Sequence, residues 1–236
     1  MKKLKVAVVG YGQFGRFMVK HLRPHFTVVP IQKHTSPEKI TSCDVVIFAV
    51  PWNGLETAIK VLKPHINSDA AIIDVMSVKQ KPLALLRRHF KGHEILGTHP
   101  IFGPQSGKNG LANLPIVLCN VSFTKKHYSD TKRFLKKILK LKVIEQTAKE
   151  HDSDMARVQG LTHFIGRAIV KMDIKSHLTN TKSYEQLLEL RDLLRDDSWE
   201  LFQTIQNTNP EAKKARKRFV EEITSLEKKL TKKTSV

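Results

Sequence analysis

A chain of 236 residues that is 40% apolar, with no run approaching a membrane span, reads as one large globular domain or two modest ones. Two cysteines, Cys43 and Cys119, exclude a disulfide framework and cysteine metal spacing, and no metal site is expected; the short apolar run after Lys2-Lys3 is too brief for a secretory segment, so the expected compartment is the cytoplasm. The net charge of +19 sits mainly in residues 1–150, which hold 25 Lys and Arg against 9 Asp and Glu, compared with 16 against 13 in residues 151–236. Its lysines (Lys2, Lys3, Lys5, Lys125, Lys126, Lys132, Lys136, Lys137, Lys140, Lys142) are scattered without interleaved aromatics. That pattern favours a solvated basic surface, or a field drawing in polyanionic ligands, over a nucleic-acid interface.

In chain order, Lys5–Val9 is a short β-branched run followed at once by Gly10-Tyr11-Gly12-Gln13-Phe14-Gly15. Phe14, Phe17, Met18 and Leu22 then recur at helical spacing. Strand, glycine turn and helix in this order form a dinucleotide fingerprint. Gly10 permits the turn, Gly12 lets backbone approach a pyrophosphate, and Gly15 lets helix and strand pack closely, with Gln13 and Phe14 opening the helix toward the phosphates. Further strands are expected at 26–31, 44–50 and 70–74, with a helix over 55–62 between them. This alternation implies a Rossmann-type parallel sheet with crossover helices. Val50 and Pro51, Asp74–Ser77 and Gly97–His99 each follow an apolar run, which should gather them at the carboxyl rim where such sheets bind ligands.

The second expected strand ends in Gln32-Lys33-His34-Thr35-Ser36, with no carboxylate to take a ribose 2′-hydroxyl before Glu38. Lys33, His34 and the two hydroxyls suit a 2′-phosphate, so NADP is preferred over NAD. Farther on, His99 stands in a Gly/Pro-framed segment, Gly97-Thr-His-Pro-Ile-Phe-Gly-Pro104, read as a rigid loop carrying a proton acceptor.

From about residue 149 the period turns helical, placing a domain boundary between 1–148 and 149–236. Met155, Val158, Ile165, Ala168, Ile169 and Met172 mark a buried stripe. Asp152, Ala156, Gln159, His163 and Arg167 step along a neighbouring face, which aligns the last three. One helix is expected from Leu187 through Phe202, with Arg191 and Arg195 a turn apart. Asn209-Pro210 reads as N-cap and first position of the last helix. Ala212, Ala215, Phe219, Ile223, Leu226 and Leu230 form its seam, suited to packing within the domain and to pairing with a second subunit, and the tail 231–236 should fray.

Four motifs together, Gly10-x-Gly12-x-x-Gly15, Asp74-Val-Met-Ser77-Val-Lys79, Gly97-Thr-His99-Pro-Ile-Phe-Gly-Pro104 and His151-Asp152-x-x-Met155-x-x-x-Gln159-Gly-Leu-x-His163-Phe164, resemble the prephenate/arogenate dehydrogenase family. The last two look most like the branch fused to chorismate mutase in bacteria, although neither a mutase segment before Lys5 nor an ACT-like segment after Val236 is expected. The resemblance implies a Rossmann-type domain followed by a smaller all-helical substrate-binding and dimerisation domain. It implies an NAD(P)-dependent oxidative decarboxylation, of prephenate by preference and of arogenate as the alternative. His99 would be the catalytic histidine and Ser77 would bind the ring hydroxyl and orient it. His163 and Gln159 would lie at the substrate side chain, and Arg191 or Arg195 would grip a substrate carboxylate. Two other readings stay open: a 3-hydroxyacid-type reductase, and a nucleotide-sensing or nucleic-acid-binding protein on a Rossmann core.

Overall fold

The computed structural model describes residues 3–232. The chain divides into two compact units, the first ending at His151 and the second beginning at Asp152. Lys2 and the tail residues 233–236 lie outside the described residues.

The first unit is built on seven strands: β1 (Lys5–Val9), β2 (Thr27–Ile31), β3 (Val45–Phe48), β4 (Ala71–Asp74), β5 (Ile95–Pro100), β6 (Pro115–Asn120) and β7 (Lys142–Glu145). They form one sheet in the order β2-β1-β3-β4-β5-β6-β7. The neighbours from β2 to β5 are parallel, β6 runs antiparallel to β5, and β7 runs parallel to β6. The chain goes from β1 outward to β2 and returns past β1 to β3, so the switch point of the sheet lies beside the glycine turn.

Helices α1 (Gln13–Leu22), α2 (Trp52–Leu62), α3 (Gln80–His89) and α4 (Lys125–Arg133) connect these strands. Alternate strand residues supply the two faces of the core. Ala7, Val9, Val46, Phe48 and Ile72 pack with Leu55, Ile59 and Leu62 of α2 and Leu83 and Leu86 of α3. Val6, Val8 and Ile47 pack with Val19, Phe14 and Met18 of α1. A π-helical segment, Phe134–Ile138, continues α4 and places Leu135 against Leu96 and Leu118.

The expected strands and helices are present, with two differences in this unit. The antiparallel pairing of β5 with β6 departs from the expected parallel sheet. Because of it, His99 sits inside a strand rather than a loop: β5 pairs with β6 through Thr98↔Leu118, His99↔Val117 and Pro100↔Ile116. Glycine and proline disguise the segment, yet the antiparallel partner supplies it with a ladder through Pro100.

Helix α5 (Ala148–Met155) carries the chain from one unit to the next, and the division falls within it, between His151 and Asp152. The second unit holds a π-helical segment (Ala156–Leu161), α6 (Thr162–Lys171), α7 (Lys182–Leu194), α8 (Trp199–Thr208) and α9 (Pro210–Lys232). The single helix expected over 187–202 is two. Arg195-Asp196-Asp197 ends α7, and Ser198 restarts the chain as N-cap of α8, its Oγ accepting from Leu201 N–H at 3.1 Å.

The buried stripe is also only partly realised. Ile169 is buried, whereas Ala168 is exposed and Val158 and Met172 are 62% and 71% exposed. The wide π turn adds a residue, and each residue turns the helix by about 100°, so a face counted on a continuous α-period loses phase across 156–161. Asn209 does cap α9: its Oδ1 accepts from Glu211 N–H at 3.0 Å while its Nδ2 donates to Asp152 O at 2.7 Å. On the α9 seam Ala212 is buried, but Ile223, Leu226 and Leu230 are at least half exposed. Among the described residues, no helix is long and apolar enough to cross a membrane.

Candidate active site

In the first unit the glycine turn has the shape a dinucleotide needs. Gly10 has φ of +100°, and a Cβ there would lie 2.5 Å from Ala49 O. A Cβ on Gly15 would lie 1.9 Å from Gly10 O, so only glycine lets α1 start this close to β1. A Cβ on Gly12 would meet nothing within 4 Å, which leaves open space in front of the α1 N-terminus. Close packing behind and openness in front fit a pyrophosphate held on backbone N–H groups. Gln13 is exposed and Phe14 half-buried at that helix start.

At the end of β2, Gln32, Lys33 and His34 are exposed. Thr35 Oγ1 accepts from Gln32 N–H at 2.9 Å and Thr35 N–H donates to Gln32 O at 3.0 Å, forming a closed turn. Val50 and Pro51 follow β3, where Pro51 precedes α2. The parallel register places these residues, Asp74–Ser77 and His99 along one rim, as the sequence pattern indicated.

Behind the rim lies a buried polar cluster. Asp74 and Lys79 form a fully buried ion pair. Lys79 Nζ also donates to Thr98 O at 2.7 Å, Thr98 Oγ1 donates to Asp74 O at 2.8 Å, and Met76 N–H donates to Asp74 Oδ1 at 3.0 Å. Burial pushes the Asp74 carboxyl up, against the pull of Lys79 and the Met76 N–H. This cluster joins the ends of β4 and β5 and fixes the backbone immediately before His99.

His99 is 4% exposed, and its Nδ1 lies 2.8 Å from Nε2 of the fully buried His151. His99 is therefore paired with a second histidine. Ser77 is half-buried, and its hydroxyl makes no hydrogen bond among the described residues, which leaves it available to a ligand. Asp74, Lys79 and His151 all stand in the motifs singled out above. What the sequence could not give was their mutual contact, which spans 52 residues for the two histidines.

In the second unit, His163 and Arg167 lie one turn apart on α6 and meet the residue between α7 and α8. His163 Nδ1 is 3.2 Å from Asp197 Oδ2, and Arg167 donates from its guanidinium to Asp197 O at 2.7 Å. That guanidinium also lies over the rings of Phe202 and Trp199, 5.4 and 5.9 Å from their centres. Burial pushes the His163 imidazole down and the Asp197 carboxyl up. Two buried acceptor atoms of this unit have no hydrogen-bond partner among the described residues: Asp197 Oδ2, 3.2 Å from His163 Nδ1 but not hydrogen-bonded to it, and, on the π-helical segment, Gln159 Oε1.

Arg191 and Arg195 are engaged locally. Arg191 pairs with Asp192 at 2.8 Å and donates to Ile174 O, bracing the turn after α6. Arg195 has a 63% exposed side chain beside Asp192 and Asp196. Arg167 was visible in the sequence as the residue one turn after His163, but its aromatic bed and Asp197 come from the fold.

Residues 26–145 match the profile of "Prephenate dehydrogenase, nucleotide-binding domain", and residues 168–236 match "TYRAAT1-like, C-terminal domain". Arogenate dehydrogenase 2 of Arabidopsis thaliana, named chloroplastic, is 30% identical over 96% of this chain and 70% of its own length. The T-protein of Haemophilus influenzae is 31% identical over 67% of this chain, which spans 42% of that protein. Among solved structures, prephenate dehydrogenase of A. aeolicus with hydroxyphenyl propionate and NAD+ superposes with a TM-score of 0.75 and 18% identity, covering 99% of this chain and 93% of that one. The chain belongs to the prephenate/arogenate dehydrogenase family of oxidoreductases.

Proposed function

We propose that this chain catalyses the NAD(P)-dependent oxidative decarboxylation of arogenate to tyrosine. The observation that carries the choice of substrate is the half-buried Asp197 carboxyl, whose buried Oδ2 lacks a hydrogen-bonded donor. Arogenate brings an ammonium group, which donates; prephenate has a keto oxygen there, which can only accept. An acceptor facing unsatisfied acceptors costs about 1–3 kcal/mol per group, whereas a charged donor gains a similar amount. The extent of similarity agrees: Arabidopsis arogenate dehydrogenases 1 and 2 match over 97% and 96% of this chain, the Haemophilus T-protein over 67%. Motif resemblance alone favours prephenate; the Asp197 carboxyl supports arogenate.

The nucleotide is assigned to Gly10, Gly12, Gln13, Phe14 and Gly15, with Val50 and Pro51 flanking it. Lys33 and His34, with no carboxylate beside them, favour NADP. When bound, the nicotinamide supplies the hydride acceptor. His99 takes the proton of the ring hydroxyl as that carbon is oxidised, because otherwise positive charge would build on the oxygen. Ser77 holds the same hydroxyl. Loss of the ring carboxylate as carbon dioxide leaves the aromatic product. Within the second unit, the Arg167 guanidinium and His163 suit a carboxylate, a role a planar guanidinium fills with paired donors, and Asp197 suits an ammonium.

The exposed Ile223, Leu226 and Leu230 of α9 support assembly as a homodimer.

Asp197→Asn tests the substrate assignment. The expected outcome is a fall of about ten- to a hundred-fold in kcat/KM for arogenate, with activity on prephenate retained or raised. Equal losses on both substrates would remove Asp197 from discrimination.

A further inference from the structure

Two histidines stand together behind the proposed base, and only one of them has been given a task. His99 Nδ1 and His151 Nε2 are 2.8 Å apart, with the rings edge-on and their centres separated by 5.1 Å. A hydrogen bond between two imidazole nitrogens contains one proton, so one nitrogen donates and the other accepts. If His151 donates, neutral His99 carries its own proton on Nε2 and cannot accept another there. If His99 donates from Nδ1, its Nε2 keeps the lone pair that proton abstraction requires.

We propose that His151 is a positioning residue that accepts from His99 Nδ1–H and thereby holds His99 in the tautomer whose Nε2 is basic. This rests on the reading of His99 as the base of the reaction. As the substrate O–H bond breaks and its proton joins His99 Nε2, the Nδ1–H bond to His151 becomes charge-assisted and strengthens. His151 thus stabilises the imidazolium without contacting the substrate.

The chain builds His151 into place. Thr147 and Glu150 form a reciprocal cap at the start of α5: Glu150 N–H donates to Thr147 Oγ1 at 3.2 Å, and Thr147 N–H donates to Glu150 Oε2 at 2.8 Å. The next residue is His151, whose own N–H donates to Thr147 O at 3.0 Å. Gln146 N–H ties the preceding residue to Leu118 O at 3.0 Å, so the cap follows directly from the sheet that carries His99.

The tautomer is read directly by long-range ¹H–¹⁵N correlation spectroscopy on the histidine-labelled wild-type protein, with the His99 signals assigned by their loss in His99→Asn. The proposal expects His99 protonated on Nδ1 at neutral pH; protonation on Nε2 would overturn it, whatever the reaction. Kinetics give the second readout. His151→Leu removes the acceptor and should lower kcat about a hundred-fold with little change in cofactor KM, while His151→Gln, whose Oε1 can accept, should recover most of the loss. Wild-type kcat in a folded His151→Leu protein would also overturn the proposal, and if that variant does not fold, the wild-type spectrum decides alone. Absence of turnover by the wild type on both arogenate and prephenate would instead defeat the proposed reaction and leave the tautomer result standing.

Discussion

His163 illustrates how burial sets chemistry at a single side chain. Its imidazole is pushed below the ordinary value of 6.5, first by desolvation, with Arg167 adding to the effect and Asp197 opposing it. The unfolded chain therefore binds this proton at a higher pH than the folded chain does. Stability from this residue is full above about pH 6.5 and is lost as pH falls from 6.5 toward the lower folded value. Asp197 works in the opposite sense and lower: its raised carboxyl keeps a proton that the unfolded chain loses near 3.8, so its contribution declines as pH rises from there. Thermal melts from pH 7.5 to 5 should show a fall in Tm on acidification that is reduced in His163→Gln; identical slopes would contradict the assignment of a depressed imidazole. At this scale the sequence was informative where a motif was local. His99 and Ser77 stood in recognisable strings, and His163 was one turn from Arg167. Asp197 lies 34 residues beyond His163, too far for spacing to pair them, whereas Arg191 and Arg195 of the same stretch bind their own neighbours.

Among the elements, the turn from β1 into α1 gives the sharpest separation of stability from binding. Gly15 has no room for a methyl group, since Gly10 O would be 1.9 Å from it, whereas Gly12 faces open space. Gly15→Ala should destabilise the protein by several kcal/mol, of the order seen for severe overpacking. Gly12→Ala should leave Tm nearly unchanged and raise the cofactor KM at least ten-fold, because the added methyl stands where backbone must approach phosphate. A Gly12→Ala protein with normal cofactor KM would remove the glycine turn from nucleotide binding. The parallel strands were legible because each is a short β-branched run bounded by turn residues. The helical unit was less so. Its π segment breaks the count that aligns a stripe, and Asp196-Asp197-Ser198 divides what looked like one helix by supplying a new N-cap.

For the molecule as a whole, the fold and the chemistry are distributed over two units whose sequences differ in kind, one alternating strand and helix, the other helical throughout. The basic surplus of the first unit suits a surface that attracts anionic ligands such as a phosphorylated cofactor. The exposed apolar side of α9 predicts self-association. The wild type should elute at twice the mass of the 26.9 kDa chain, and an Ile223→Glu/Leu226→Glu variant should elute at the monomer mass. A monomeric wild type at micromolar concentration would contradict the dimer. Reduced cofactor followed at 340 nm with arogenate and prephenate on the wild-type enzyme reads the substrate itself. An arogenate dehydrogenase gives kcat/KM about ten-fold or more higher for arogenate, and equal or greater kcat/KM for prephenate would overturn the proposed reaction.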